Sequence, residues 1–217
     1  LSVPTIVFFR TRAIGVENVP EHGPVIVTPN HFSQMDHFLA AVYLRRKVQF
    51  MAKSQLFGNG FLNWVFYHGG VFPVRRGYDD QEAFKTAHTV LAKDGALLMY
   101  AEGGRSRSGD LGEPKRGVGK IALESGAPVV PVAIHGSAHA RRWKRLHFPK
   151  VTVQFGEPLA FPHKANPTRE EQQQVANQVF DQVRAMYVDL DQNGRRNVLK
   201  RLRQGLPAAS PATRTRG

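Results

Sequence analysis

The chain has 217 residues, 41% of them hydrophobic, which is enough to bury one substantial core; nothing in it suggests two. It contains no cysteine, which excludes disulfides, thiolate nucleophiles and thiolate metal sites. Its formal charge of +13 is unevenly spread, since residues 191–217 hold seven Lys or Arg against the single Asp191.

Residues 2–9 are apolar, but the run is far shorter than the roughly 18 residues a membrane-spanning helix requires. They also lack the charged leader and cleavage site of a signal peptide. The first strong pattern is an apolar strand at 25–28, followed by Asn30-His31-Phe32-Ser33-Gln34-Met35-Asp36-His37 and an apolar stretch from Phe38. It predicts a buried strand, a tight loop and a helix over 33–45.

A histidine and an aspartate at such a junction can act as a general base and the group that orients it. On an ideal helix, residues five apart lie about 140° apart around the axis. His31 and Asp36 therefore meet only if His31 sits in the loop and folds back over the first turn. Ser33 to Asp36 fits Ser-x-x-Asp before an apolar run, with Ser33 at the N-cap and Asp36 at N3. A purely structural reading fits the same residues: Asp36 caps the helix and His31 ends the strand with a satisfied hydrogen bond.

Further strands are expected at 48–51, 70–74, 96–100, 129–134 and 151–155, with helices at 55–67, 79–93 and 117–125. Gly95 and Gly126 fall where helix C-caps belong. Thr168-Arg169-Glu170-Glu171 is a capping box opening a long helix, with a buried stripe of Val175, Val179, Val183, Met186 and Leu190. Strands alternating with helices define an α/β class: one domain with a largely parallel central sheet flanked by helices. Residues 191–217 are read as a basic, disordered C-terminal tail.

In such sheets ligands bind beyond the carboxyl ends of the strands. His31 falls there, and so does Ala101-Glu102-Gly103-Gly104-Arg105-Ser106-Arg107-Ser108-Gly109. Adjacent glycines allow close backbone approach, and arginine and serine suit phosphate oxygens. A solvated loop whose arginines pair with Asp110 or Glu113 fits equally. Arg75 and Arg76 follow another strand, and Pro131 interrupts 129–134, requiring an edge, a bulge or an irregular start.

Taken in order, these blocks resemble the glycerolipid acyltransferase family typified by 1-acylglycerol-3-phosphate acyltransferases. Its Asn-His-x-Ser-x-x-Asp signature is matched by Asn30, His31, Ser33 and Asp36. Its aromatic-x-x-Arg block is matched by Phe72 and Arg75, and its Glu-Gly-Thr-Arg-Ser block by Glu102, Gly103, Arg105 and Ser106, with Gly104 in place of threonine. Val130-Pro131-Val132 matches the fourth block, and Lys53 to Phe57 resembles the Lys-x-x-Leu-Phe segment.

The resemblance implies an acyltransferase domain over 1–190. It would move a fatty acyl group from acyl-CoA or acyl carrier protein to the hydroxyl of lysophosphatidic acid, making phosphatidic acid. Glycerol 3-phosphate or another lysophospholipid is the alternative acceptor. His31 and Asp36 are then catalytic, and Lys53, Arg75, Glu102, Gly103, Arg105 and Ser106 bind the acceptor and its phosphate. No metal and no cofactor beyond the acyl-thioester co-substrate is expected.

The implied partner is an anionic membrane surface at the cytoplasmic face, reached peripherally or through an anchor missing from this chain. The aromatic segment 57–67 is a candidate contact, with packing on the sheet as its other reading. His135 and His139 do not make a convincing metal pair, because Arg141, Arg142, Lys144 and Arg145 crowd them with positive charge. Two rivals stand beside the family reading: a serine hydrolase using Ser33, though no Gly-x-Ser-x-Gly elbow is present, and a basic nucleic-acid binder, though no recognised motif accompanies the charge. The reading adopted has no nucleic-acid partner.

Overall fold

Val25, Ile26 and Val27 alternate between two apolar layers, and all of Val25–Pro29 is buried, as expected of a strand covered on both faces. A computed structural model describes residues 10–53, 71–74, 80–106, 108–138 and 150–204. Its strands are β1 (Arg12–Ile14), β2 (Val25–Pro29), β3 (Val48–Lys53), β4 (Val71–Val74), β5 (Ala96–Leu98), β6 (Val129–His135) and β7 (Thr152–Phe155). Its α-helices are α1 (Asp36–Ala41), α2 (Asp80–Ala92), α3 (Gly117–Ser125) and α4 (Arg169–Arg203).

Among the described residues the strands form one seven-stranded sheet in the order β1-β7-β6-β2-β5-β3-β4. Every neighbouring pair is parallel except β6 and β7. The largely parallel α/β domain read from the sequence is therefore present, with β1 as an additional edge strand. One core layer joins Val25, Val27, Val130, Val132 and Ile134 to Leu39 and Ala40 of α1. The opposite layer joins Ile26 and Leu97 to Ala87 and Leu91 of α2, Ile121 and Ala122 of α3, and Val179 and Val183 of α4. Helices α3 and α4 touch through Gly119, where a Cβ would come within 1.9 Å of the Gln172 carbonyl oxygen.

Pro131 lies inside β6, flanked by β2 and β7. Its carbonyl accepts the Gly156 N–H at 2.8 Å. Its missing donor falls on the same side, between that bond and the Val129–Leu159 bridge, where residues 157 and 158 leave the ladder. Proline is thus accommodated at a bulge.

Three expectations change. The helix expected over 33–45 is only Asp36–Ala41, because residues 32–35 wrap around the Asp36 carboxylate instead of winding into the first turn. After α2 it is Asp94 that takes the left-handed conformation, with φ 54, and Gly95 follows it; Gly126 does cap α3, with φ 67. The tail placed at 191–217 is folded through Arg203: α4 breaks at Gly194 (φ 69, ψ 156) and resumes.

Beyond that break, fully buried Val198 packs with Ile14, Ala133, Met186 and Leu190. Arg201 donates to Asp189, whose side chain is 1% exposed. Apolar contact and a buried ion pair hold this arm despite its charge. Residues 205–217 lie outside the described residues. The expected capping box is formed, since Thr168 Oγ1 accepts the Glu171 N–H while Glu171 Oε2 accepts the Thr168 N–H. All five residues of the expected α4 stripe are buried. Among the described residues no helix is long and apolar enough to cross a membrane.

Candidate active site

The carboxyl ends of β2, β5, β3 and β4 lie side by side along one edge of the sheet, and the residues that follow them converge there. At the end of β2 the fully buried Asn30 carries the pairing forward with its side chain. Its Oδ1 accepts the Ile134 N–H at 2.7 Å and its Nδ2 donates to the Ile134 carbonyl at 3.1 Å. This fixes the point at which the chain leaves the sheet, and the next residue is His31.

His31 sits in the loop before α1 and Asp36 is the first helical residue, with Met35 at the N-cap in place of the expected Ser33. Asp36 Oδ2 gathers three donors: His31 Nδ1 at 3.1 Å, the Phe32 N–H at 2.7 Å and the Ser33 N–H at 2.6 Å. The carboxylate is fully buried and the His31 side chain is 12% exposed. A carboxylate oxygen only accepts, so Nδ1 carries the proton and Nε2 keeps its lone pair. An imidazole oriented through Nδ1, with no bond to Nε2 among the described residues, has the geometry a general base needs. The helix cap read from the sequence is not formed, since the Asp36 carboxylate takes no N–H of α1; one of its oxygens orients the His31 ring and organises the loop before the helix.

Ser33 is buried at 5% exposure, and its Oγ accepts the Met35 N–H at 3.2 Å. It staples the loop, and among the described residues its hydroxyl has no bond to His31, which removes the geometry a serine nucleophile needs. Phe32 is fully buried and packs edge-on against Tyr187 of α4, with centroids 5.5 Å apart.

The loop after β5 grips His31 by its main chain. Glu102 Oε1 accepts the His31 N–H at 3.0 Å, Glu102 Oε2 accepts the Gly112 N–H at 3.0 Å, and the Ser106 N–H donates to the His31 carbonyl at 2.9 Å. Burial pushes the Glu102 carboxyl above its ordinary value, opposed by those two backbone bonds. Glu102 and the Ser106 backbone, read from the sequence as acceptor-binding, are thus placed on the main chain of His31. Gly103 makes the turn between them with φ +66, and a Cβ there would come within 2.8 Å of the Lys115 side chain.

Arg105 is on the same loop, close enough that its charge contributes to lowering the pKa of His37. Lys53 is the last residue of β3, two strand spacings from β2, or about 10 Å. Arg75 directly follows β4 but lies outside the described residues, as do the aromatic segment 57–67, His139 and the Arg141–Arg145 cluster. His135 ends β6 and bonds Asp191 through Nε2 at 3.2 Å.

Three neighbours escaped the sequence reading. Tyr100 stacks on His31 with centroids 3.9 Å apart and planes 19° apart. The Tyr100 hydroxyl bonds His37 Nδ1, and His37 stacks on Phe50 at 5.0 Å. Lys115 covers Gly103. The available signal was positional: Tyr100 lies just beyond β5 and His37 beside Asp36.

Comparison with known proteins matches this arrangement to a family. The Acyltransferase family model matches residues 10–135, more than half the chain. A chloroplastic 1-acyl-sn-glycerol-3-phosphate acyltransferase of Brassica napus is 29% identical over 139 residues, covering 63% of this chain and 40% of that protein. The human 1-acyl-sn-glycerol-3-phosphate acyltransferase beta is 32% identical over 142 residues, covering 61% and 49%. The Bacillus subtilis 1-acyl-sn-glycerol-3-phosphate acyltransferase is 26% identical over 181 residues, covering 81% and 87%. The crystal structure of the 1-acyl-sn-glycerophosphate (LPA) acyltransferase PlsC from Thermotoga maritima superposes with a TM-score of 0.69 at 25% identity, covering 88% of this chain and 77% of that one. Against the Brassica and human relatives the chain spans half their length or less. With its matched segment running from the start of the sheet through β6 and enclosing the His31–Asp36 pair, the chain belongs to the acyltransferase family.

Proposed function

We propose that the protein acylates the free hydroxyl of lysophosphatidic acid, drawing the acyl group from acyl-CoA or acyl carrier protein and making phosphatidic acid. The observation that carries this reading is the His31–Asp36 pair at the carboxyl edge, under a loop that bears Arg105. The names of the relatives support lysophosphatidate as acceptor.

In this reaction the acceptor oxygen attacks the thioester carbonyl while His31 Nε2 takes its proton. The imidazolium is stabilised by Asp36 through Nδ1. The tetrahedral adduct collapses, the C–S bond breaks, and the imidazolium returns its proton to the departing thiolate. The products are the new ester and the free thiol, and the step calls on no metal or bound cofactor. Lys53, Arg75 and Arg105 clamp the acceptor phosphate, where arginine's fork suits paired phosphate oxygens.

The same reading takes an anionic membrane surface as partner. Strand β1 runs opposite to β2, so Arg12 opens it at the edge that carries His31, three strand spacings or about 14 Å away. Arg195 bonds the Arg10 carbonyl beside it, and Arg12 and Arg196 press their charge on Arg195. A cationic cluster on that edge favours anionic headgroups.

The test is purified protein given matched acyl-CoA and acyl carrier protein donors with lysophosphatidate, glycerol 3-phosphate and a neutral lysolipid, and products identified by mass spectrometry. Phosphatidate from lysophosphatidate is the expected product; free fatty acid alone overturns the reading. Arg105→Ala should raise the acceptor KM about tenfold or more, since a charge-assisted bond contributes roughly 1.5–3 kcal/mol. An unchanged acceptor dependence removes Arg105 from the clamp.

A further inference from the structure

Three rings pack in succession beside the candidate base His31: Tyr100 and then, tilted by 59° to it, His37, which stacks on Phe50. The His31 imidazole lies nearly parallel on Tyr100, 3.9 Å between centroids. Tyr100 and His37 are 5.1 Å apart and joined by the hydroxyl bond to His37 Nδ1, and His37 lies flat on Phe50 of β3. Edge-on and offset contacts are the usual result of packing, whereas near-parallel overlap at this separation presents the π face of one ring to the other.

We infer that Tyr100 is a positioning residue for His31, its ring face holding the imidazole in line and favouring the imidazolium that forms as the acceptor loses its proton. This rests on His31 acting as the general base proposed above. Asp36 fixes one edge of the imidazole through Nδ1 and leaves rotation about that bond open. A ring lying flat at 3.9 Å closes that freedom. A cation within about 6 Å of an aromatic face is attracted by the ring quadrupole, so the contact strengthens as the proton arrives.

His37 holds the Tyr100 ring at its hydroxyl without being needed for the face itself. Burial, the His31 ring and Arg105 hold its pKa near 4, against the pull of Asp36, so it stays neutral and its Nδ1 accepts. Burial, with Asp36 and Glu102 adding to it, keeps the Tyr100 phenol well above its ordinary value, so the hydroxyl remains the donor. With His37 5.2 Å from His31, its neutrality also spares the imidazolium a like charge.

The experiment compares wild type with Tyr100→Phe, Tyr100→Leu and His31→Ala, reading kcat and both KM values. It also follows the histidine ring N–H resonances in ¹⁵N-labelled protein. Tyr100→Phe keeps the face and should retain kcat within about threefold. Tyr100→Leu should lose about tenfold in kcat with both KM values unchanged. Its His31 Nδ1–H resonance should broaden while the phenylalanine variant keeps it sharp. If Tyr100→Leu folds poorly by circular dichroism, Tyr100→Met, of similar volume but unbranched and able to adapt to the gap, replaces it.

A leucine or methionine variant with wild-type kcat and a sharp resonance overturns the inference. Equal losses in the phenylalanine and leucine variants overturn it too, since the hydroxyl and not the face would then matter. His31→Ala separates the two levels. If that variant retains turnover, the general-base reading fails; if it is inactive while Tyr100→Leu is unaffected, only the Tyr100 inference fails.

Discussion

Glu102 holds His31 by the backbone: one carboxylate oxygen accepts the His31 N–H and the other accepts the Gly112 N–H, each at 3.0 Å. His31 is therefore set from two sides, its ring by Asp36 and its main chain by a loop 71 residues later in the chain. Proximity effects are steep in such sites, where a displacement of about 1 Å can cost about a hundredfold.

Glu102→Gln isolates that grip. The amide offers one accepting oxygen and one donating nitrogen, so either His31 or Gly112 faces a donor. We expect kcat to fall about ten- to a hundredfold with acceptor KM little changed, and stability to drop by about 1–3 kcal/mol. Paired steady-state kinetics and urea unfolding check both; a large rise in acceptor KM would instead place Glu102 on the substrate.

His37 makes stability pH-dependent. Its folded pKa is about 4 against 6.5 in the unfolded chain, so between these values the unfolded state binds the extra proton. The contribution is complete above about pH 6.5 and is lost as pH falls toward 4, about 3 kcal/mol in all. The groups facing it are the Tyr100 hydroxyl, His31, Asp36 and Arg105. Glu102, whose pKa is raised, works in the opposite sense, its folded form binding the proton more readily. Urea midpoints of wild type and His37→Phe, measured from pH 7 to pH 4, should therefore converge as pH falls. Parallel curves would contradict the assignment.

Arg201→Ala tests the folded arm beyond Gly194. It strips the guanidinium from Asp189, which is 1% exposed and keeps the Asn193 amide as a neutral donor, and removing one member of a buried pair costs about 3–5 kcal/mol. Loss on that scale in thermal unfolding is expected, whereas a neutral result would show that residues 195–203 do not dock.

Much of the fold was legible because β-branched runs and helical stripes are local signals. Val25 to Thr28 and the α4 stripe fall where periodicity places them, and β5 begins at Ala96 as expected but ends at Leu98, short of the expected 100. Strand β1 was not, because three residues at a sheet edge carry no period, and Ile14 is its single fully inward position. The arm after Gly194 was missed because its arginines outweigh Val198 and Leu199 in composition, although those two supply its contact with the sheet edge.

The His31–Asp36 pair could be anticipated from five-residue spacing across a strand–helix junction. The place of Glu102 could not, because its partners are backbone N–H groups of His31 and Gly112, which no side-chain pattern encodes. Tyr100 and His37 belong to the same class, since their contact depends on the adjacency of β2, β5 and β3.

Turnover of His31→Ala, assayed with lysophosphatidate and an acyl thioester alongside a folding control, bears most directly on the whole scheme. We expect a loss of about 10²–10⁴-fold in kcat, with the fold and acceptor binding preserved. A folded variant that acylates lysophosphatidate at close to the wild-type rate would contradict it.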